Sequence, residues 1–227
     1  MPFKSHSGAL MRDGKKSLAL AIVLLLSLCG CSTVWVLAVK PKIPESQLHG
    51  GGTAIYLAPL LEGRETPAYE KDNADVMVGK MDPYVISLDS TPPSIVLGSV
   101  KKLLENEGFT VFTKKADQTK DMVIIGGKVI EFSVHDRSGF VGAVEADVQF
   151  ELYVRKGNRI MGKHLFQSSK IQHDVGPGWR VFNRAINNAV DDCLDQVADF
   201  IESKEFSKAL QGIPIKDIEK KAQQDEE

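Results

Sequence analysis

The stretch Val144-Glu145-Ala146-Asp147-Val148-Gln149-Phe150-Glu151-Leu152-Tyr153-Val154 decides the fold. Apolar residues take every second position, and Glu145, Asp147, Gln149, Glu151 and Tyr153 fill the gaps. Successive side chains of a strand point to opposite faces, so this period of two predicts one dry face and one wet face. Upstream, Met122–Val134 reads as a second strand whose latter half alternates Ile130, Phe132 and Val134, with Gly126-Gly127 as a bulge or bend. Downstream, Lys156-Gly157-Asn158 reads as a hairpin turn and Arg159–Val175 as a third strand. Three long neighbours joined by short turns predict an antiparallel meander.

Working outward, the helices follow from spacing and punctuation. Ser90-Thr91-Pro92-Pro93 announces a helix, because a hydroxyl side chain caps the free amides and proline is tolerated in the first turn. Ile95, Val96, Val100, Leu103 and Leu104 give it an apolar stripe, and Gly108 is placed to end it. From Trp179 to about Lys204 a second, stronger stripe recurs at three and four: Phe182, Ala185, Ile186, Ala189, Val190, Cys193, Leu194, Val197 and Ile201. Thr53–Leu61 is apolar enough for a central strand; Tyr84–Leu88 and Phe109–Thr113 are short strand candidates. The polar run from Glu62 to Pro83 reads as a long loop with a short strand at Asp75–Val78. Together these predict an α+β fold: an antiparallel sheet of about four to five strands packed by two helices, a two-layer sandwich.

Of 227 residues, 43% are hydrophobic and 26% charged, which fits one globular domain with tails. With 28 Lys+Arg against 30 Asp+Glu the net charge is -2, so nothing in the bulk charge points to nucleic acid. The start of the chain reads as an address. Lys4, Arg12, Lys15 and Lys16 precede an aliphatic run from Leu18 to Leu28, the order of a secretory signal. Leu28-Cys29-Gly30-Cys31 then resembles the lipobox of bacterial lipoproteins, with Leu28, Gly30 and the acceptor Cys31 on the pattern. That resemblance implies diacylglycerol on the Cys31 sulfur, cleavage after Gly30 and a further palmitate-type chain on the new amine. More than one acyl chain is what stable anchoring takes. Ser32 behind the acceptor resembles lipoproteins passed to the outer membrane. An uncleaved anchor stays open beside this reading. No charge falls between Lys16 and Lys40, and such a run is long enough, at ~1.5 Å per residue, to span a bilayer. Either reading puts residue 41 onward outside the cytoplasm, facing the periplasm.

The expected organisation is therefore a signal peptide over 1–30, a lipid-anchored flexible tether over 31–52, an α+β domain over 53–204 and a charged, disordered tail over 205–227. Removing residues 1–30 takes away Lys4, Arg12, Lys15, Lys16 and Asp13, which leaves 24 basic and 29 acidic residues, a net -5. That balance argues against binding anionic head groups by bulk charge.

The order helix, short strand, meander and long final helix behind a lipobox resembles the YajG family of bacterial outer-membrane lipoproteins. The carrying residues are Val100-Lys101-Lys102-Leu103-Leu104 with Gly108-Phe109-Thr110-Val111, the strand Val144–Val154, and Ala185-Ile186-Asn187-Asn188-Ala189-Val190. The resemblance implies a non-enzymatic envelope lipoprotein and hands over no functional residue.

No catalytic residue, cofactor site or metal site is assigned from the sequence. His49, His135, His164 and His173 lack the close pairing of metal ligands and read as surface or edge histidines. Cys193 sits in the apolar stripe with Asp191, Asp192 and Asp195 nearby, so it reads as a core residue and not a nucleophile. Glu145, Asp147 and Glu151 share one strand face, as paired carboxylates would, but a solvated sheet face accounts for them. Gly126-Gly127 lacks a phosphate-cradle pattern. Two sites remain, each readable as a structural turn or as a contact surface: Phe140 between glycines at a strand junction, and Trp179 with Arg180 beside Gly176-Pro177-Gly178, residue types favoured at binding hot spots. The expected partners are the membrane, through the lipid, and an envelope protein, peptidoglycan or a lipid. A transport accessory holding a lipid or glycan is the alternative.

Overall fold

The computed structural model describes residues 33–45, 50–64, 76–81, 84–114, 122–136, 143–173 and 178–214. Along the chain run β1 (Thr33–Leu37), β2 (Ala54–Leu57), β3 (Leu61–Glu62), β4 (Val76–Met81), β5 (Tyr84–Leu88), α1 (Pro92–Asn106), β6 (Thr110–Phe112), β7 (Val123–Asp136), β8 (Ala143–Lys156), β9 (Arg159–His173), α2 (Trp179–Glu202) and α3 (Lys204–Gln211).

The alternating stretch is β8, the middle of an antiparallel β7-β8-β9 meander. Burial alternates along it as the period of two requires, with Val144, Ala146, Val148, Phe150, Leu152 and Val154 all buried. A two-residue loop, Gly157-Asn158, joins β8 to β9. Gly157 has φ +58° and Asn158 is not among the residues with positive φ, the pattern of a II′ turn. Gly126 lies directly opposite Tyr153, and a β-carbon there would run into the phenol ring. Its smallness makes room for an aromatic; the bulge of β7 falls further along, between Val129 and Glu131.

The sheet is mixed, not antiparallel throughout. Its order is β6-β2-β7-β8-β9, with β3 alongside β7, and β2 runs parallel to both β6 and β7. Ile55, Tyr56 and Leu57 are buried on both faces, as befits a central parallel strand. A run apolar on both faces speaks to burial and carries no information on direction. The direction is set by the long connection from β2 to β6, which includes α1; parallel neighbours require such a crossover. A second, three-stranded sheet, β1-β5-β4, joins the two short strands expected near Asp75–Val78 and at Tyr84–Leu88 to Thr33–Leu37, which was read as tether.

α1 begins where expected, with Thr91 as N-cap and proline in its first two positions. The Thr91 hydroxyl meets the Ser94 hydroxyl at 2.8 Å and no backbone amide. Gly108, at φ +83°, ends the helix, and the Phe109 amide donates back to the Leu104 carbonyl at 3.0 Å. α2 lays Phe182, Ile186, Val190, Leu194 and Val197 on the dry face of the sheet, in one apolar cluster with Phe132, Val148 and Phe150.

Two expectations about the ends of the domain need correction. The tail from Glu205 begins with a third helix. Ser203 caps α3 by accepting from the Phe206 amide at 3.1 Å, and Phe206 is 1% exposed, edge-on to Phe109 and Phe200. Lys156 Nζ donates to the Leu210 carbonyl at 2.8 Å, closing the last turn. One buried aromatic in a charged run was too thin a signal for an amphipathic helix; the phenylalanine cluster it joins is assembled from distant segments.

The tether of 31–52 is likewise not free where it is described. Leu37 is 0% exposed, and Val39 and Ile43 pack against the core. The glycines Gly50–Gly52 form a turn pinned to the end of α1: the Gly50 amide donates to the Glu107 carbonyl at 2.6 Å and the Gly52 amide to the Gly108 carbonyl at 2.8 Å. A β-carbon on Gly50 would stand 2.5 Å from the Phe109 nitrogen, so this glycine serves close approach, not flexibility. Among the described residues, no helix is long and apolar enough to cross a membrane.

Candidate functional site

Residues Ala38–Ile43 run as a strap along the first half of α2. The helix recognises the strap's backbone with side chains. The Lys40 amide donates to Asn187 Oδ1 at 2.8 Å, and the Lys42 amide donates to Asp191 Oδ1 at 2.8 Å. Asn187 Nδ2 donates back to the Ala38 carbonyl at 3.4 Å and to the Asn183 carbonyl, one turn earlier, at 2.7 Å. One carboxamide thus satisfies both a donor and an acceptor of the strap, as a neighbouring strand would. The spacing of Asn183, Asn187 and Asp191 at four sets all three on one helix face.

Between strap and helix opens a groove of about 600 Å³. Four cations line it, Lys40, Lys42, Arg180 and Arg184, against a single carboxylate, Asp191, which is already engaged with the strap. Trp179 stands at its end, 50% exposed, with the Arg180 guanidinium carbon 5.6 Å from its ring centroid. The sequence-expected contact pair is therefore brought together, and joined by two lysines that the sequence reading had assigned to a tether. Phe140 and Cys31, the other two singled-out residues, lie outside the described residues.

The charge placement runs against helix electrostatics. The first turn of α2 holds no acid and its last turn no base. Arg180 and Arg184 sit in the first two turns, where the helix dipole is already positive, while Asp191, Asp192, Asp195 and Asp199 follow in the second half. Burial and then the neighbouring Asp191, Asp192 and Asp199 charges hold the Asp195 carboxyl above the ordinary range; a hydrogen bond from Lys170 holds Asp192 below it. The four cations give the groove a positive potential, to which the helix dipole adds at the Arg180 end.

The remaining candidates resolve plainly. Cys193 is buried, its Sγ 3.7 Å from the Val148 carbonyl oxygen; burial first, and the Asp192 charge second, push its thiol up to about 12. It is a core residue with no nucleophilic role. His164 is half-buried in an aromatic cluster, 4.9 Å from Phe200 and 4.6 Å from Phe166 between ring centroids, and burial lowers its pKa against a smaller opposing effect of Glu205. His173, nine residues on, is exposed. Glu145, Asp147 and Glu151 do share the wet face; Glu151 lies 3.5 Å from Lys163. Sequence reading missed that Glu145 and Asp147 are joined there by His135. The hairpin register was the signal that would have found it.

No family model matches the chain, and no curated protein sequence does. Solved structures do match. A Xanthomonas campestris protein of the DUF330 family superposes with a TM-score of 0.57 at 10% identity, covering 78% of this chain and 99% of its own. A homolog of the neuraminyllactose-binding hemagglutinin from Helicobacter pylori gives 0.46 at 11% identity, over 77% of this chain and 98% of its own. A minor lipoprotein from Acinetobacter baumannii gives 0.39 at 13%, over 72% and 97%. The first likeness speaks to a shared fold alone, and the other two superpose too loosely to carry an argument.

Proposed function

We propose that this chain is a bacterial envelope lipoprotein without catalytic activity, lipid-anchored at Cys31 in the outer membrane, whose periplasm-facing domain binds an anionic envelope component in the groove between strap and α2. The observation that carries the binding claim is the gathering of Lys40, Lys42, Arg180 and Arg184 around one engaged carboxylate, on a chain whose mature part is net acidic. The lipobox Leu28–Cys31 behind a basic and aliphatic leader supports the anchor, and Ser32 supports the outer membrane. The order of elements behind the lipobox supports kinship with YajG-type lipoproteins. A surface groove is favoured over a chamber between sheet and helices, because that space is filled by one contiguous apolar cluster that includes Phe132, Phe150, Phe166 and Phe182.

The strap bears on the geometry of anchoring. Only residues 32–37 separate Cys31 from Ala38, so at ~3.3 Å per residue the groove stays within roughly 25 Å of the anchored residue. The test has two arms. Cys31→Ala should leave the chain unprocessed or released from membranes. A photo-crosslinking residue at Trp179 should trap its partner in intact cells, and Arg180→Glu with Arg184→Glu should abolish the adduct. Processing and membrane retention that survive Cys31→Ala would end the anchor claim; adducts indifferent to charge reversal would end the groove claim.

A further inference from the structure

The wet face of the sheet carries a constellation that the groove does not use. In the β7–β8 hairpin the register sets His135 opposite Glu145, and Asp147 follows two residues later on the same face. His135 Nε2 lies 3.2 Å from Glu145 Oε2 and 3.9 Å from Asp147 Oδ2. One ligand-capable atom from each of the three lies within 4.8 Å of the others. Donors held ~2.0–2.2 Å from a zinc ion at tetrahedral angles stand roughly 3.4 Å apart, so a small contraction of this triangle seats a cation between all three.

We propose that His135, Glu145 and Asp147 bind a divalent transition cation of the Zn2+ class. The simpler account is a cross-strand His–Glu pair beside a solvated aspartate. Two further features favour the cation. Ser169, on β9, donates from Oγ to Glu145 Oε1 at 3.1 Å, so one oxygen is held from outside while Oε2 faces the histidine. Outer support of that kind orients ligands in built metal sites. The second feature is a hollow of about 270 Å³ that shares Asp147 and Ser169 and continues past Glu131, Gln149 and Gln167. Three protein donors leave a fourth position for water or a ligand's oxygen, which is the ligand count of an open zinc site. One imidazole with two carboxylates suits a borderline cation better than a soft one. The side chains project from paired strands of a rigid meander, so little ordering is needed on binding.

The inference is independent of the anchor and of the groove. Its test is titration of the untagged full-length chain in detergent with ZnCl2 by calorimetry, alongside CoCl2 followed by visible absorption. The expected result is one Zn2+ per chain, with affinity at least tenfold weaker in His135→Ala and in Asp147→Asn. Both variants should keep the wild-type circular dichroism, since neither side chain belongs to the core. The Co2+ spectrum should lose its absorption in His135→Ala. Absence of saturable binding up to millimolar Zn2+ would overturn the proposal, and so would Zn2+ binding that His135→Ala leaves unchanged.

Discussion

Replacing Asn187 by Ala tests whether the strap is docked on α2 or loose. The variant removes the acceptor of the Lys40 amide, 2.8 Å away, and the donor to the Ala38 carbonyl, 3.4 Å away. A hydrogen bond contributes ~0.5–1.5 kcal/mol net, and one of these is exposed and the other part-buried, so the free energy of opening the strap should fall by about 1–2 kcal/mol. At ~1.4 kcal/mol per tenfold, the Lys40 amide should exchange its proton about 5- to 30-fold faster. Global stability should barely change, because alanine is the best helix former and Asn187 sits inside α2. The assay is native-state hydrogen exchange read at Lys40, with trypsin cleavage after Lys42 as a second probe. Wild-type exchange at Lys40 already at the rate of an unstructured peptide would refute the docked strap. Exchange in the variant within about twofold of wild type would refute the assignment of the bond to Asn187.

Two further outcomes follow from the aromatic cluster. Phe206→Ala empties a fully buried site between Phe109 and Phe200; at ~3–5 kcal/mol for such a truncation, calorimetry should show the melting temperature falling by about 6–20 °C. A fall of under about 3 °C would mean that α3 contributes little to the domain. His164 predicts a pH effect. Its folded pKa lies below the 6.5 of an ordinary histidine, so between the two values the unfolded chain binds the proton and the folded chain does not. The contribution of neutral His164 is present above about pH 6.5 and is lost as pH falls toward the folded pKa. His164→Phe should flatten the urea-midpoint difference between pH 7.5 and 5.5; an unchanged difference would remove His164 as its cause.

How legible the molecule was varied with the range of the interactions involved. The meander, both amphipathic helices and their ends were readable, because period, capping residues and the turn at Gly157 act over a few residues. The core role of Cys193 was readable from the stripe it occupies. Trp179 and Arg180 were readable as surface candidates. That Lys40 and Lys42 complete their groove was not, because the strap lies some 150 positions from α2 and is joined to it by two polar side chains with no periodic signature.

Taken alone, the sequence determined which face of each long strand and helix would be dry, since alternation and three-four spacing are local consequences of backbone geometry. It also carried the pattern on which the proposed anchor rests, a basic and aliphatic start followed by the lipobox-like Leu28–Cys31, which is read from composition and order. Tertiary structure decided the rest: that β2 runs parallel to β6 and β7, that 205–211 folds as a helix under Phe200, that the strap closes a cationic groove, and that His135 meets Glu145 and Asp147. Each of these depends on which distant segments meet, and apolar burial, which drives that meeting, is non-directional and leaves no local mark of its partner.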